Sequence, residues 1–382
     1  MTVLNLSTYL PQECGIATFS MDLRKSLLPQ GHKFEIIAIS DKEDGYSYPK
    51  EVVCKMYKHN RNDYVRAAEF ANTRSDVELI VIQHEYGIFG GPDGNYVLDF
   101  AQHLSKPFII ITHSVLPKPS EQQQYILHRL CQMAAGIVCM TNSSANLLHT
   151  LYNAHSELIT IIPHGVPLFK QHHQEDLKRK YGCEGRQIIT TFGLIGPGKG
   201  LETGIKALAE VAALHPSALY LILGKTHPNL IKSEGESYRN MLRELTSSLN
   251  LDNNVKFVNK FLTDDELGEY LHMTDIYLSP YPNRDQAVSG TMAFALGCGL
   301  AIVSTAYAYA QEVLAEGRGL LAQTNEPHEM AALLKQILED RKLQNALQSK
   351  ALTLGETLVW PAVGKKYSDF FAKILNSYKK NS

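Results

Sequence analysis

At 382 residues the chain exceeds what one hydrophobic core usually supports and suits two. Its 37 Lys and Arg against 39 Asp and Glu leave a net charge of −2, which excludes a general nucleic-acid binder with a phosphate-neutralising basic face. With 44% apolar and 20% charged residues the composition is that of a water-soluble globular protein, and no run approaches the ~18 apolar residues of a membrane span.

Met1-Thr-Val-Leu-Asn-Leu6 enters directly as a strand, without the basic region or cleavage site of a secretory leader, so a cytoplasmic location is expected. Short β-rich apolar runs then alternate with helical patterns, the signature of parallel sheets covered by helices. In the first half, strands are predicted at residues 3–8, 34–39, 79–83, 108–112, 136–141 and 159–163. Several are apolar at every position, as strands buried on both faces are. Helices are predicted between them at 17–28, 64–73, 96–104, 120–133 and 143–151. A polar stretch, 170–185, carries His172 and His173, which read as a solvated pair in a charged linker. The alternation restarts with strands at 188–192, 218–223, 255–258, 276–279 and 301–304. Helices accompany them at 201–214, 237–249, 264–272, 291–296 and 307–315. The end is helical over 326–349, breaks at Trp360-Pro361, where proline suits a first helical turn, and continues over 362–378. Val363, Tyr367, Phe370, Phe371 and Ile374 share one face of that last helix.

The expected fold class is α/β: two Rossmann-like doubly wound domains, 1–165 and 166–360, facing a central cleft, with 361–382 a helix crossing back onto the first. Ligands of open α/β sheets bind beyond the carboxyl ends of the strands, which makes the cleft the expected site. The six cysteines, at 14, 54, 131, 139, 183 and 298, form no CxxC pair and read as reduced thiols, Cys139 inside an apolar core run.

The most informative segment is Ile188-Ile-Thr-Thr-Phe-Gly-Leu-Ile-Gly-Pro-Gly-Lys-Gly200. A strand runs into a loop carrying Gly193, Gly196 and Gly198, and ends in Lys199 where a helix starts. Glycines let backbone amides turn toward a ligand, and both lysine and helix dipole favour an anion, so the segment reads as a phosphate site. A tight turn with a solvated lysine is the plainer alternative. Gly193 and Gly198-Lys199 also match P-loop spacing, but Gly200 stands where a magnesium-binding Ser or Thr is required. Nor does an Asp close a suitable strand: 219–223 runs into Gly224-Lys225, and 79–83 into His84-Glu85. The glycine spacing is equally wrong for a dinucleotide-binding oxidoreductase.

Further segments stand in a telling order: Pro11-Gln-Glu-Cys-Gly-Ile-Ala-Thr18, Thr112-His113-Ser114, Ile162-Pro-His-Gly-Val166, the loop above, and Gly297-Cys-Gly-Leu-Ala-Ile-Val303 with Glu312 beyond. In this order they resemble the motifs of the family-four retaining glycosyltransferases of GT-B fold, over nearly the whole chain. The resemblance places His113 beside the transferred sugar and Lys199 at the leaving phosphate, as the catalytic pair. Gly15, Gly196, Gly198, Gly224 and Lys225 join Lys199 in the expected donor site, while Glu13, His84, Glu85 and His164 (where the family has Asn) are expected toward the acceptor. His164 is alternatively a turn cap.

Three positions depart from the family. Leu194 replaces its arginine, and its paired glutamates fall on Gln286 and Phe294. In their place stands Asp285-Gln-Ala-Val-Ser-Gly-Thr291. Asp285 and Gln286 are expected on sugar hydroxyls, and Ser289, Gly290 and Thr291 on a donor phosphate at a helix start; the alternative is that Asp285 and Ser289 only cap the helix.

The resemblance implies sugar transfer from a nucleoside diphosphate sugar, GDP- or UDP-linked with GDP-mannose among the candidates, to a glycan or small-molecule acceptor. No covalent nucleophile, cofactor or metal is expected, the chain having no Asp-x-Asp. A homodimer is left open. Two other readings remain: a phosphorylase-like relative using a sugar phosphate, and a catalytically silent GT-B module that binds glycan.

Overall fold

The computed structural model describes residues 1–381 and divides into two compact units. One joins Met1–Gly165 to the C-terminal helix Trp360–Asn381; the other is Val166–Val359.

The first unit is a seven-stranded parallel sheet: β1 (Thr2–Ser7), β2 (Lys33–Ser40), β3 (Val52–Tyr57), β4 (Val77–His84), β5 (Phe108–Thr112), β6 (Gly136–Cys139) and β7 (Ile159–Ile161). Their spatial order is β3-β2-β1-β4-β5-β6-β7. Val3, Leu4 and Leu6 of β1 and Leu79 to Ile82 of β4 are wholly buried, because helices cover both faces of these central strands. The chain winds outward from β1 in one direction and, from β4 on, in the other. That reversal leaves a crevice at the carboxyl ends of β1 and β4, where such folds hold ligands.

The second unit repeats the plan with β8 (Gln187–Phe192), β9 (Ala218–Leu223), β10 (Val255–Val258), β11 (Ile276–Ser279), β12 (Ala301–Thr305) and β13 (Leu320–Ala322), ordered β10-β9-β8-β11-β12-β13. Its switch point lies between β8 and β11. The loops that follow these two strands are the glycine-rich segment and the 280–289 segment.

Several elements differ from the sequence-based expectation. β3 was not predicted because it is an edge strand with a single buried residue, Met56, and so has no continuous apolar run. β13 has only three residues. The stretch 170–185 is more than a linker, since Gln174–Lys180 is helical and tied down: Lys178 Nζ lies 3.0 Å from Asp275 Oδ2, and Gln174 Nε2 donates to Asp275 Oδ1 at 3.0 Å. His172 likewise packs its ring 6.2 Å from that of His272. The single helix expected at 326–349 is two, Pro327–Glu339 and Arg341–Gly355. Asp340 separates them, its carboxylate accepting from the amides of Lys342 and Leu343 as an N-cap. A further helix, Pro228–Glu234, follows β9.

Helix Trp360–Asn381 buries Val363, Tyr367, Phe370, Phe371 and Ile374 on the first unit. Glycines make the close approach feasible. A Cβ on Gly364 would lie 2.5 Å from Ser26 Oγ of helix Gly15–Leu27, and one on Gly136 would lie 2.6 Å from Ile374 Cδ1. His32 Nε2 sits 2.7 Å from Ser368 Oγ across the same contact. All six cysteines are free thiols. Among the described residues, no helix is long and apolar enough to cross a membrane.

Candidate active site

In the second unit, β8 runs into Gly193, whose φ of +124° favours glycine. A side chain here would meet Lys199 Nζ and Thr291 Cγ2, each 3.3 Å from the Cβ position. Lys199 closes the 3-10 turn Pro197–Lys199, directly before helix Leu201–Ala212. Its ammonium donates to the Tyr281 hydroxyl and lies 4.4 Å from that ring's centroid. The Tyr281 oxygen in turn lies 2.8 Å from Thr291 Oγ1, which also accepts from Tyr277 Oη at 2.8 Å. Tyr281 stacks on Tyr307 with ring centroids 5.5 Å apart. Burial works to raise the Tyr281 phenol, but the Lys199 ammonium on its oxygen, joined by the hydrogen bonds to Thr291 and Tyr277, offsets this and holds it below an ordinary phenol.

Two helix starts thus meet at one cation. Helix Leu201–Ala212 and helix Gly290–Gly297 both begin here, and the first amides of a helix have no intrahelical acceptor. Together with Lys199 they bring a cation and unpaired amides to one place, the chemistry that favours an anion. Gly196 and Gly198 have ordinary backbone conformations; a Cβ on Gly198 would meet open space and one on Gly196 only an ordinary contact with Leu230 Cδ2 at 3.9 Å, so neither is a glycine for packing reasons. Gly224 differs: with φ +133° and the Gly193 carbonyl 1.9 Å from where its Cβ would be, it serves the contact of two loops rather than a ligand. Buried Arg239 braces that loop, donating from Nη2 to Gly224 O at 2.8 Å. Lys225 is half-buried and pairs its carbonyl with the Ile195 amide.

Of the 285–291 segment, Asp285 is exposed and Gln286 spends its side-chain amide on Val288 O at 3.0 Å. Ser289 is the N-cap, its hydroxyl accepting from Met292 N at 3.3 Å and lying 3.1 Å from Thr291 Oγ1. Ser289 thus follows the capping alternative, and the hydroxyls of both Ser289 and Thr291 are engaged within the protein. What the segment presents is backbone amide at Gly290 and Thr291. Ser289→Ala is expected to lower stability by ~1 kcal/mol through loss of the cap, read by urea unfolding, with phosphate-ligand affinity retained. Phe294 points into the core between Phe192 and Phe169, with centroids 6.1 and 5.9 Å away.

The first unit gathers its candidates at the ends of β4 and β5. His113 Nε2 lies 2.8 Å from Gln83 Oε1, and the His113 amide donates to His84 O at 2.9 Å. Phe19 meets the His113 ring edge-on at 4.8 Å, and the His164 and Trp360 rings at 5.2 and 5.1 Å. Burial, aided by His164 and His84, pushes the His113 imidazole down to about 3, so it is neutral at physiological pH. His164 is likewise held neutral by burial and donates from Nδ1 to Gly165 O at 2.7 Å, so it partly serves its own turn. Glu85 accepts from Ser114 Oγ and from the amides of Tyr86 and Gly87, while burial pushes its carboxyl above the usual range. His84 is a correction. It is wholly buried against Tyr86 and Phe89, with neither ring nitrogen hydrogen-bonded, and no part of it reaches the surface to meet an acceptor.

Gly15 opens helix Gly15–Leu27 with clear space at its Cβ position, and Cys14 caps it, Sγ accepting from Ala17 N at 3.4 Å. Glu13 precedes it, half-buried.

Sequence reasoning missed Tyr281, Tyr277 and His227. His227, which follows β9 and caps helix Pro228–Glu234, is held below its usual range by burial and by the Lys199 charge. Tyr281 was findable: it stands just past β11, at the carboxyl end where ligands gather.

Comparison with known proteins agrees with the fold of the two units. The model of the family described as "Glycosyl transferases group 1" matches residues 173–353, and that of "Glycosyltransferase Family 4" matches 14–169. A D-inositol 3-phosphate glycosyltransferase of Nocardioides sp. is 24% identical over 259 residues, 64% of this chain and 55% of the relative. A GDP-mannose-dependent phosphatidylinositol monomannoside mannosyltransferase of Corynebacterium glutamicum is 26% identical over 158 residues, 40% of this chain and 38% of the relative. The chain spans about half the length of the curated relatives it matches. Among solved structures, Anabaena HepE in complex with UDP and glucose superposes with a TM-score of 0.79 at 15% identity, covering 98% of this chain and 100% of that one. Sucrose-phosphate synthase from Thermosynechococcus elongatus gives 0.80 at 16% identity, covering 99% and 100%. The chain belongs to the group 1, family-four glycosyltransferases and has the GT-B fold.

Proposed function

We propose that this protein is a retaining, metal-independent transferase that moves a sugar from a nucleoside diphosphate sugar to a carbohydrate acceptor. The second unit binds the donor's diphosphate, and the first holds His113 for the transferred sugar and Glu85 and Glu13 for the acceptor. The observation that carries this reading is the convergence of Lys199 with two helix starts at the β8/β11 switch point. Departure of a diphosphate develops negative charge as the sugar becomes oxocarbenium-like, and preorganised donors stabilise it without reorganising. Lys199 and the helix amides supply those donors, so a divalent cation is not needed. The leaving phosphate then takes the acceptor proton. HepE with UDP and glucose, and a relative named for GDP-mannose, support a nucleotide donor.

The phosphorylase-like reading is favoured by one feature: Phe294, buried in the core, offers no carboxylate to a ribose. A thermal-shift screen separates the two. UDP or GDP should raise the melting temperature, and transfer should persist in EDTA. A response to inorganic phosphate or sugar phosphates alone would replace the proposal with the second reading. Loss of activity on chelation, restored by manganese or magnesium, would remove the metal-independent role of Lys199.

A further inference from the structure

Three polar side chains run across the first sheet at its switch point. Asn5 on β1 and Gln83 on β4 are wholly buried among the apolar residues of these central strands, and His113 follows β5. Gln83 Nε2 donates to Asn5 Oδ1 at 2.9 Å, and Gln83 Oε1 lies 2.8 Å from His113 Nε2. Buried amides weaken a core that apolar residues would fill more favourably, unless their hydrogen bonds specify something.

We propose that Gln83, braced by Asn5, is a positioning residue that locks the His113 imidazole in its Nε2–H tautomer and leaves Nδ1 as an acceptor for a hydroxyl of the bound sugar. The logic is directional. With Asn5 Oδ1 turned toward Gln83, and Asn5 Nδ2 itself without a partner, the Gln83 amide nitrogen faces β1 and the Gln83 oxygen faces His113. That oxygen can only accept, so the proton between it and the imidazole belongs to Nε2. Phe19, edge-on at 4.8 Å, and the His113 amide bond to His84 O hold the ring's plane and backbone. Since burial keeps the ring neutral, Gln83 decides which nitrogen carries the proton and leaves its charge unchanged.

The role of the Nδ1 acceptor rests on the transfer reading above, whereas the tautomer does not, and the experiment reads them separately. Protein labelled with 15N-histidine is examined by long-range proton–nitrogen correlation at neutral pH. The His113 signals, one set among 15 histidines, are assigned by their loss in His113→Gln. Wild type should show a protonated Nε2 and an unprotonated Nδ1. Gln83→Leu should give shifts averaged between tautomers, and Gln83→Glu, which keeps an acceptor, should restore the wild-type pattern. An Nδ1–H wild type, or a Gln83→Leu spectrum with the tautomer unchanged, overturns the proposal. The wild-type spectrum decides the tautomer even should a variant fail to fold. In transfer assays Gln83→Leu should lower kcat about tenfold with donor affinity by calorimetry unchanged. A correct tautomer with unaltered kcat in Gln83→Leu also overturns it as a positioning residue. If the wild-type protein instead transfers no sugar at all, the transfer reading has failed while the nitrogen shifts still report the lock.

Discussion

Lys199→Ala should reduce turnover about a hundredfold, the scale of ~3 kcal/mol that one preorganised donor contributes at a developing oxyanion. The ammonium reaches its place through two independent contacts, the Tyr281 hydroxyl and the face of the same ring 4.4 Å away, so little entropy is left to lose when a phosphate arrives. Lys199→Arg should not restore the rate. Lys199 Nζ lies 3.3 Å from the Cβ position of Gly193, and a planar guanidinium has no equivalent room between that loop and Thr291. Tyr281→Phe separates anchoring from charge, since it keeps the ring and removes the hydroxyl. Its effect should be several-fold smaller than that of the alanine variant, because a neutral-partner hydrogen bond is worth less than the charge itself. Steady-state kinetics on purified, folded variants checks this, and wild-type turnover in Lys199→Ala would end the assignment.

Deleting residues 361–382 is expected to unfold the first unit's surface and drive aggregation. The helix keeps Val363, Tyr367 and Phe371 at 0% exposure, Phe370 at 5% and Ile374 at 7%. Burying such side chains contributes roughly 1.5–3 kcal/mol each, so the face as a whole is comparable to the ~5–15 kcal/mol by which a domain is stable. Its loss bares an apolar strip on helix Gly15–Leu27 and beside β6, the kind of contiguous patch that associates. Hydrogen exchange should show first-unit protection falling while the sheet of Val166–Val359 keeps its own. A point variant tests the same contact without truncation: Gly364→Val puts a side chain 2.5 Å from Ser26 Oγ and should lower stability by about 1–3 kcal/mol. Unchanged first-unit protection in the deletion would refute this account.

Some of this was legible in the sequence, and the reasons are local. Central strands such as β1 and β4 announce themselves as unbroken apolar runs because both their faces are buried. β3 does not, since an edge strand needs no such run, and Asp340 ends a helix inside a periodic pattern that continues past it. The arrangement around Lys199 was readable in outline because glycines, Lys199 and a helix start are consecutive, so backbone geometry alone brings them together. His84 was misread for the opposite reason. It stands next to Glu85 at a strand end, but alternation turns the two side chains to opposite faces, and nothing local says which face is covered.

By itself, then, the chain's order of residues determined the two parallel sheets, their helical cover, the covering face of the last helix and the position of the glycine-rich loop that carries Lys199. These follow from periodicity and short-range chemistry. Only the tertiary structure decided that Lys199 rests on Tyr281, that Tyr277, Tyr281 and Ser289 converge on Thr291, and that Asn5, Gln83 and His113 form one line across β1, β4 and β5. The Asn5–Gln83 and Lys199–Tyr281 contacts join strand ends whose adjacency, β1 beside β4 and β8 beside β11, comes from the reversal of winding at a switch point, and no spacing along the chain encodes which strand end will face which.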